Sequence, residues 1–106
     1  MSRRFVLSAP AVNDLDEILE YVLVHSGPRR VLRVNERLHE AFGKLAETPG
    51  MGHVREDLAD ETLQAWPVFS YLVIYRPKSS PLDVVRVLHG ARDLPAIFGS
   101  EDSEGV

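Results

Sequence analysis

The chain contains no cysteine, and this absence removes several kinds of chemistry together. Without thiols there are no disulfides, no thiolate metal sites and no cysteine nucleophile, so any reaction must use other groups. Histidines do not compensate, because His25 and His39 fall on separate expected helices at a spacing that matches no metal-binding pattern. The sequence therefore predicts no metal and no cofactor.

Long apolar runs are also missing. The longest candidate, Tyr71 to Tyr75, is far below the roughly 20 residues that a membrane-spanning helix needs. Met1 to Phe5 leads directly into a strand-like segment, without the apolar stretch of a signal peptide. Together with the lack of cysteine, these features predict a cytoplasmic protein with no membrane partner.

An excess of positive charge is the third absence, since the formal net charge is -4. Domains that hold nucleic acid by bulk electrostatics usually carry a basic excess, so this balance argues against direct DNA binding. The charges are nevertheless uneven, because acidic residues crowd Asp14 to Glu20. The second half of the body carries Arg55, Arg76, Arg86 and Arg92. A local basic surface therefore remains compatible with the sequence.

The composition that remains is that of one small folded domain. Hydrophobic residues make up 44% of the 106 residues and charged residues 26%, a balance typical of globular proteins. The last residues are small, polar and acidic, as expected of a frayed terminus. We expect a single domain over residues 1–98 and a flexible acidic tail over residues 99–106.

Apolar periodicity predicts a strand followed by a helical hairpin. Arg4 to Ser8 suits a short strand. Apolar residues then recur at helical spacing up to Gly27, a residue able to cap a helix in a left-handed conformation. The same spacing returns from Pro28, which suits the first turn of a helix, and ends at Thr48-Pro49-Gly50.

The rest of the body is expected to be a loop and three strands. Gly50 to Glu61 is polar and glycine-containing, which favours a loop. Leu63 to Val68, Tyr71 to Arg76 and Leu82 to His89 are rich in β-branched and aromatic residues and should form an antiparallel meander. Leu94 to Phe98 is expected to form a short C-terminal helix or turn. The expected class is α+β, in the order N-terminal strand, helical hairpin and a three-stranded antiparallel meander that forms one small sheet.

The last strand is apolar on both faces if its side chains alternate strictly. One face would carry Leu82, Val84, Arg86 and Leu88, and the other Asp83, Val85, Val87 and His89. A single helical hairpin covers only one face of a sheet. The other face must meet the C-terminal segment or a partner molecule, and the pattern favours neither.

Four segments in this order resemble the RelE/ParE toxins of type II toxin-antitoxin systems. They are the opening Leu7 to Tyr21, the helix exit Leu45 to Leu58, the strand Tyr71-Leu72-Val73-Ile74-Tyr75-Arg76-Pro77, and Val85-Arg86-Val87-Leu88-His89-Gly90-Ala91-Arg92-Asp93-Leu94. The resemblance covers residues 4–98 and is closer to the ParE branch than to RelE. It implies a growth-arresting toxin that poisons DNA gyrase, a role associated with plasmid stabilisation.

The resemblance also implies a partner. Such toxins are neutralised by a ParD-like antitoxin, whose DNA-binding N-terminal part would give this chain only indirect contact with DNA, and whose flexible C-terminal part folds onto the toxin. The candidate contacts with antitoxin or target are Arg55, Trp66, Tyr75, Arg76, Arg86, His89 and Arg92. For Trp66 and His89, a structural role is expected ahead of a contact role.

A ribosome-dependent mRNA endoribonuclease of the RelE type is the alternative. Arg76, Arg86, His89 and Arg92 could cluster at one end of the sheet and steady a scissile phosphate while a base activates the ribose 2′-hydroxyl. The chain offers only two lysines, and Asp93-Leu94 stands where several such nucleases carry an aromatic residue. The residues thus favour an inhibitor that acts by binding. A member that only forms a complex with its antitoxin is a third hypothesis.

Overall fold

The computed structural model describes residues 4–55, 58 and 60–90 of the chain. Its elements are β1 (Phe5–Leu7), α1 (Ala9–Ser26), α2 (Pro28–Glu47), a 3-10 turn (Pro49–Met51), β2 (Gln64–Val68), β3 (Tyr71–Arg76) and β4 (Leu82–His89). This order confirms the α+β fold. The expected C-terminal turn, the acidic tail and Arg92 lie outside the described residues.

Helix α1 begins at a serine that also fastens it to the sheet. The hydroxyl oxygen of Ser8 accepts a hydrogen bond from the Ala11 amide at 3.1 Å and donates one to the carbonyl oxygen of Val85 at 2.7 Å. The first contact satisfies one amide that a helix start leaves without a partner. The second joins the helix start to β4, so the cap sets the position of α1 over the sheet.

The two helices meet at Gly27, as the sequence predicted. This residue has a φ of 87° and donates its amide to the carbonyl oxygen of Leu23 at 3.0 Å, a conformation that side chains other than glycine rarely adopt. Pro28 then occupies the first turn of α2. Within the described part of the chain, no helix is long and apolar enough to cross a membrane.

The apolar stripes of both helices face the same side of the sheet. Their buried members include Leu15, Ile18, Leu38 and Phe42, which belong to one cluster with buried strand residues. The spacing of these residues along each helix is the cause, since positions three and four apart share a face. This cluster is the main core.

The four strands form one sheet in the order β1-β4-β3-β2. Strand β1 lies parallel to β4, and β2, β3 and β4 form the predicted antiparallel meander. Strand β2, which carries Trp66, is therefore at an edge of the sheet.

The prediction that side chains alternate strictly along β4 is wrong, because a β-bulge interrupts the strand. Ile74 is paired with Arg86 but Tyr75 with Val84, so Val85 is the additional residue. A bulge shifts the side chains that follow it relative to the faces of the sheet. Val87 consequently joins the main core with Val84, although the sequence analysis placed these two valines on opposite faces.

The opposite face of the sheet has a small core of its own. Ile74 and Leu88 are 0% and 1% exposed there, and they cluster with Leu58 and Leu63 from the segment that precedes β2. The sequence pattern had suggested only the C-terminal segment or a partner as the cover. The segment before β2 contributes to it because a polar loop can still supply two leucines that fold back onto the sheet.

Candidate functional site

Arg86 is held by a carboxylate from another element. Its Nε and Nη2 atoms donate to the two carboxylate oxygens of Asp14 at 2.6 and 2.8 Å, and the same carboxylate accepts from the Val87 amide at 3.0 Å. The side chains of Arg86 and Asp14 are only 26% and 11% exposed. A two-pronged, charge-assisted contact of this type fixes geometry, so it holds α1 against β4.

Arg76 also faces acidic partners, although in a more exposed place. Its guanidinium donates to the Thr62 hydroxyl at 2.8 Å and lies 3.4 Å from a carboxylate oxygen of Asp60 and 3.7 Å from one of Asp83. Hydrogen bonds from Thr62 and the nearby Arg76 charge hold the pKa of the Asp60 carboxyl below its usual value. The positive charge of Arg76 is thus largely balanced by its own neighbours.

The expected cluster at one end of the sheet does not form between Arg76 and His89. Arg76 pairs with Asp83 at the start of β4, whereas His89 pairs with Tyr71 at the start of β3. These two pairs are roughly 17 Å apart at about 3.3 Å per residue. The C-terminal ends of two neighbouring antiparallel strands lie at opposite ends of the hairpin. Strand direction therefore separates Arg76 from His89, and the prediction of one cluster is wrong for this pair.

His89 and Arg55 occupy different surroundings again. The His89 ring meets the Tyr71 ring edge to face at 5.8 Å and lines a groove of about 440 Å³ together with Glu17 and Tyr21 of α1. Arg55 is half-buried in the segment between the 3-10 turn and β2. The structure therefore distributes the described candidate residues over several places.

Tyr75 lies inside the protein. It is 0% exposed, its hydroxyl accepts from the Gly52 amide at 2.9 Å and donates to the Pro49 carbonyl at 2.6 Å, and Gln64 Oε1 lies 3.1 Å away. Burial raises the pKa of Tyr75, while the hydrogen bond from Gly52 lowers it by less. This hydroxyl fastens the 3-10 turn to the sheet.

Gly52 is required for that contact. A Cβ atom at this position would collide with the Tyr75 hydroxyl and lie within 2.8 Å of its ring carbon Cε1. The close approach explains why a glycine follows the 3-10 turn. The hydrogen bonds of the buried hydroxyl and the close approach of Gly52 together indicate that Tyr75 has a structural role.

The candidate residues from the sequence do not include a surface beside the turn between β2 and β3. Phe69, in the turn between β2 and β3, has a φ of 55° and is 41% exposed. For a bulky residue this backbone conformation costs about 1–2 kcal/mol. The guanidinium carbons of Arg30 and Arg37 lie 5.0 and 5.2 Å from the centre of its ring, within the range of cation–π attraction. An aromatic side chain is therefore kept at the surface between two cations.

A shallow groove continues from this turn between α2 and the edge strand. Its volume is about 220 Å³, and its lining includes Trp66 and Met51 beside Arg37, Glu40 and Lys44. Trp66 is half-buried and stacks on His53 with ring centres 6.2 Å apart. It has the structural contact expected of it and also presents a face to the groove.

One signal in the sequence pointed to this surface. Arg30, Arg37 and Lys44 recur at intervals of seven residues, which places them along one line of a helix with a drift of about 20° per interval. The predicted cation cluster lay on the late strands, whereas these three cations lie on α2.

Three comparisons place the chain among known proteins. It matches the family model of the ParE toxin of type II toxin-antitoxin system, parDE, over residues 5–94. It is 26% identical over 98 residues to Toxin ParE3 of Caulobacter vibrioides, covering 92% of this chain and 97% of that protein. Its fold matches a chain of the chromosomal ParDE TA system from P. aeruginosa with a TM-score of 0.69 and 18% identity, over 83% of this chain and 96% of that one.

Proposed function

Since the chain belongs to the ParE toxin family of type II toxin-antitoxin systems, we propose that it arrests growth by binding DNA gyrase, with no catalytic step of its own. In this proposal it acts in the cytoplasm and traps the cleaved DNA complex of gyrase. A ParD-like antitoxin neutralises it, and contact with DNA occurs only through that antitoxin.

One observation carries the non-enzymatic part of the proposal. Arg86 is engaged by Asp14, and Arg76 lies among Thr62, Asp60 and Asp83. A phosphoryl-transfer site needs cations aimed together at one phosphate and a base within hydrogen-bond reach of the attacking hydroxyl. The carboxylates beside both arginines would repel a phosphate, so this arrangement disfavours a phosphoryl-transfer site.

The antitoxin part rests on family membership and on the names of the relatives. The matching family is described as the parDE toxin, and the structural neighbour is titled a ParDE system. We extend that pairing to this chain. The expected partner is a small protein encoded beside the gene.

The first test is a gyrase assay run in parallel with in vitro translation. The purified protein is expected to inhibit supercoiling and to accumulate cleaved DNA, while translation proceeds normally. Blocked translation with normal supercoiling would replace the gyrase proposal with the ribonuclease alternative. Adding the antitoxin should reverse the gyrase effect.

A variant of Arg76 sharpens this test. The Arg76→Ala protein should keep its effect on gyrase, because the guanidinium of Arg76 is engaged within the protein by Thr62, Asp60 and Asp83. Thermal unfolding of the same preparation shows whether it is folded. Loss of the effect in a folded Arg76→Ala protein would show that this arginine acts on the target.

A further inference from the structure

Three cations form a line on the surface of α2. Arg30, Arg37 and Lys44 are exposed and follow one another at intervals of seven residues. At 1.5 Å per residue the line extends over roughly 21 Å, about four helical turns. Phe69 and Trp66 from the β2–β3 hairpin lie beside it. We call these five residues the Phe69 strip.

The geometry of Phe69 is unusual for a residue that only completes a turn. Glycine is the residue that a positive φ at this position favours, yet a phenylalanine stands there with 41% of its surface exposed. Residues held in such conformations cluster at binding surfaces, where the strain fixes a side chain in place. The strip therefore combines positioned aromatic surface with positive charge.

Among the residues that the structure describes, the acidic contact along this line is weak. Glu40 approaches Arg37 at 3.8 Å, and the two side chains are 61% and 50% exposed. Exposed ion pairs contribute little to stability. A carboxylate from a partner could therefore take the place of Glu40 beside Arg37 at little cost.

The edge strand next to the strip is closed to an added strand. The amide and carbonyl of Ala65 are already bonded to His53 at 2.8 and 2.9 Å, and Pro67 has no amide hydrogen to donate. The backbone polar groups of Ala65 and Pro67 point away from β3, because those of Trp66 and Val68 point toward their partners Val73 and Tyr71 in β3. A partner must therefore dock through side chains, as an amphipathic helix does in a groove.

We propose that the Phe69 strip binds an acidic amphipathic helix from the toxin-binding part of the antitoxin. Carboxylates of that helix contact Arg30, Arg37 and Lys44, and an apolar side chain enters the groove beside Trp66. This inference rests on the proposed function, because it assumes that an antitoxin binds. It adds the surface and the chemical character of the segment that occupies it.

A protein helix fits the strip better than a nucleic acid does. Aromatic rings and arginines also form platforms for single-stranded nucleic acid. The apolar part of the groove lining distinguishes the two partners, because a phosphate backbone gains nothing from apolar contacts. The groove floor includes Met51 and Val68, which suit an apolar side chain.

Binding kinetics with the full-length antitoxin test the proposal. The antitoxin is immobilised, and association and dissociation of the toxin are measured by interferometry. Arg37→Glu, Lys44→Glu and Phe69→Ala should each weaken binding by about tenfold or more, as expected for anchors of an interface. Phe69→Tyr keeps the aromatic ring and should retain binding to within about threefold.

Two exposed residues on other sides of α2 provide matched controls. Arg29→Glu makes the same charge change away from the line, and Leu32→Ala removes a side chain that is 70% exposed. Both should bind within about twofold of the original protein. Thermal unfolding of each variant separates a lost contact from a lost fold.

The outcomes are distinguishable. If the original protein binds the antitoxin and the strip variants bind as tightly as the controls, the strip is not the docking surface and the proposed function stands. If the original protein does not bind at all, the antitoxin proposal fails and this inference fails with it. Trp66 is the only tryptophan in the chain, so its fluorescence reports occupancy of the groove. A response to a single-stranded DNA oligonucleotide that Phe69→Ala abolishes would overturn the protein partner in favour of nucleic acid.

Discussion

The arginines of the late strands and those of α2 differ in what faces them. Arg86 and Arg76 point at carboxylates supplied by α1, by β4 and by the segment before β2. Arg30 and Arg37 lie over the exposed ring of Phe69. Guanidinium groups that face acids from other elements have their charge balanced within the protein, whereas guanidinium groups stacked on a surface ring keep charge available to a partner. Residue type alone did not distinguish the two groups.

The largest effect is expected at the Asp14–Arg86 pair. Asp14→Ala leaves Arg86 in a half-buried place without its carboxylate, and breaking such a pair costs about 3 kcal/mol. The melting temperature should fall by roughly 12 °C or more, and calorimetry measures it.

A double variant checks the cause of that loss. Asp14→Leu combined with Arg86→Met removes both charges and should recover at least half of the lost stability, because no charge is then left unbalanced. Equal stability of Asp14→Ala and the original protein would place Arg86 with the surface arginines and remove the contrast.

Tyr75→Phe extends the comparison to a candidate contact that lies in the core. Loss of the hydroxyl leaves the Gly52 amide and the Pro49 carbonyl without this partner, at a cost of about 1–2 kcal/mol in chemical denaturation. A loss of unfolding free energy below about 0.5 kcal/mol, which is typical of a surface residue, would contradict the structural role of Tyr75.

The raised pKa of Tyr75 predicts that the free energy of unfolding depends on pH. Burial raises the pKa of Tyr75 above 10.0 in the folded state, so the neutral hydroxyl is favoured by folding. Its contribution to stability is complete below pH 10 and is lost as pH rises through the raised pKa. In Tyr75→Phe the free energy of unfolding should fall less steeply above pH 10, as denaturation at a series of pH values will show.

Phe69→Ala should have a smaller effect on folding than on binding. Without the ring, the contacts with two arginines are lost, while the strain of the positive φ is relieved only in part. The net change in unfolding free energy should therefore stay below about 1 kcal/mol. Phe69→Gly should be at least as stable as Phe69→Ala because glycine tolerates the positive φ. A loss above about 2 kcal/mol would assign Phe69 to the fold.

The smallest effect is expected for Arg76→Ala. The ion pairs of this side chain are exposed, so the melting temperature should change by less than about 3 °C. The pKa of Asp60 should rise toward its usual value, and it should rise further in Thr62→Val, because hydrogen bonds from Thr62 are the larger cause of its lowering. Since the lowered pKa favours the folded state above pH 3.8, this contribution disappears as pH falls through the folded pKa. Nuclear magnetic resonance titration measures both shifts, and an unchanged Asp60 pKa in Thr62→Val would contradict this explanation.

Much of the fold could be predicted from the sequence because its signals are local. The bounds of β3 and β4 and the cap at Gly27 follow from β-branched runs and from glycine's access to positive φ, and the structure confirms them. Strand β1 is shorter than Arg4 to Ser8 because Ser8 is used as the helix cap. Each of these features depends on neighbours in the chain.

The candidate site could be predicted only as a set of residues. Its arrangement depends on contacts between distant segments, such as Asp14 with Arg86 and Pro49 with Tyr75. The bulge at Val85 changes which faces the later side chains occupy, and no local pattern indicates it. The sequence contains the seven-residue spacing of the cations on α2, but only the tertiary structure places Phe69 beside them.

The sequence by itself determined the order of elements, the apolar faces of both helices and, through four ordered segments, the toxin family. Only the tertiary structure decided which arginines are engaged by carboxylates and which stack on Phe69. The physical reason is the distance along the chain over which each interaction acts. Helical and strand periodicity acts over a few residues, whereas an ion pair or a ring contact depends on where two distant segments meet.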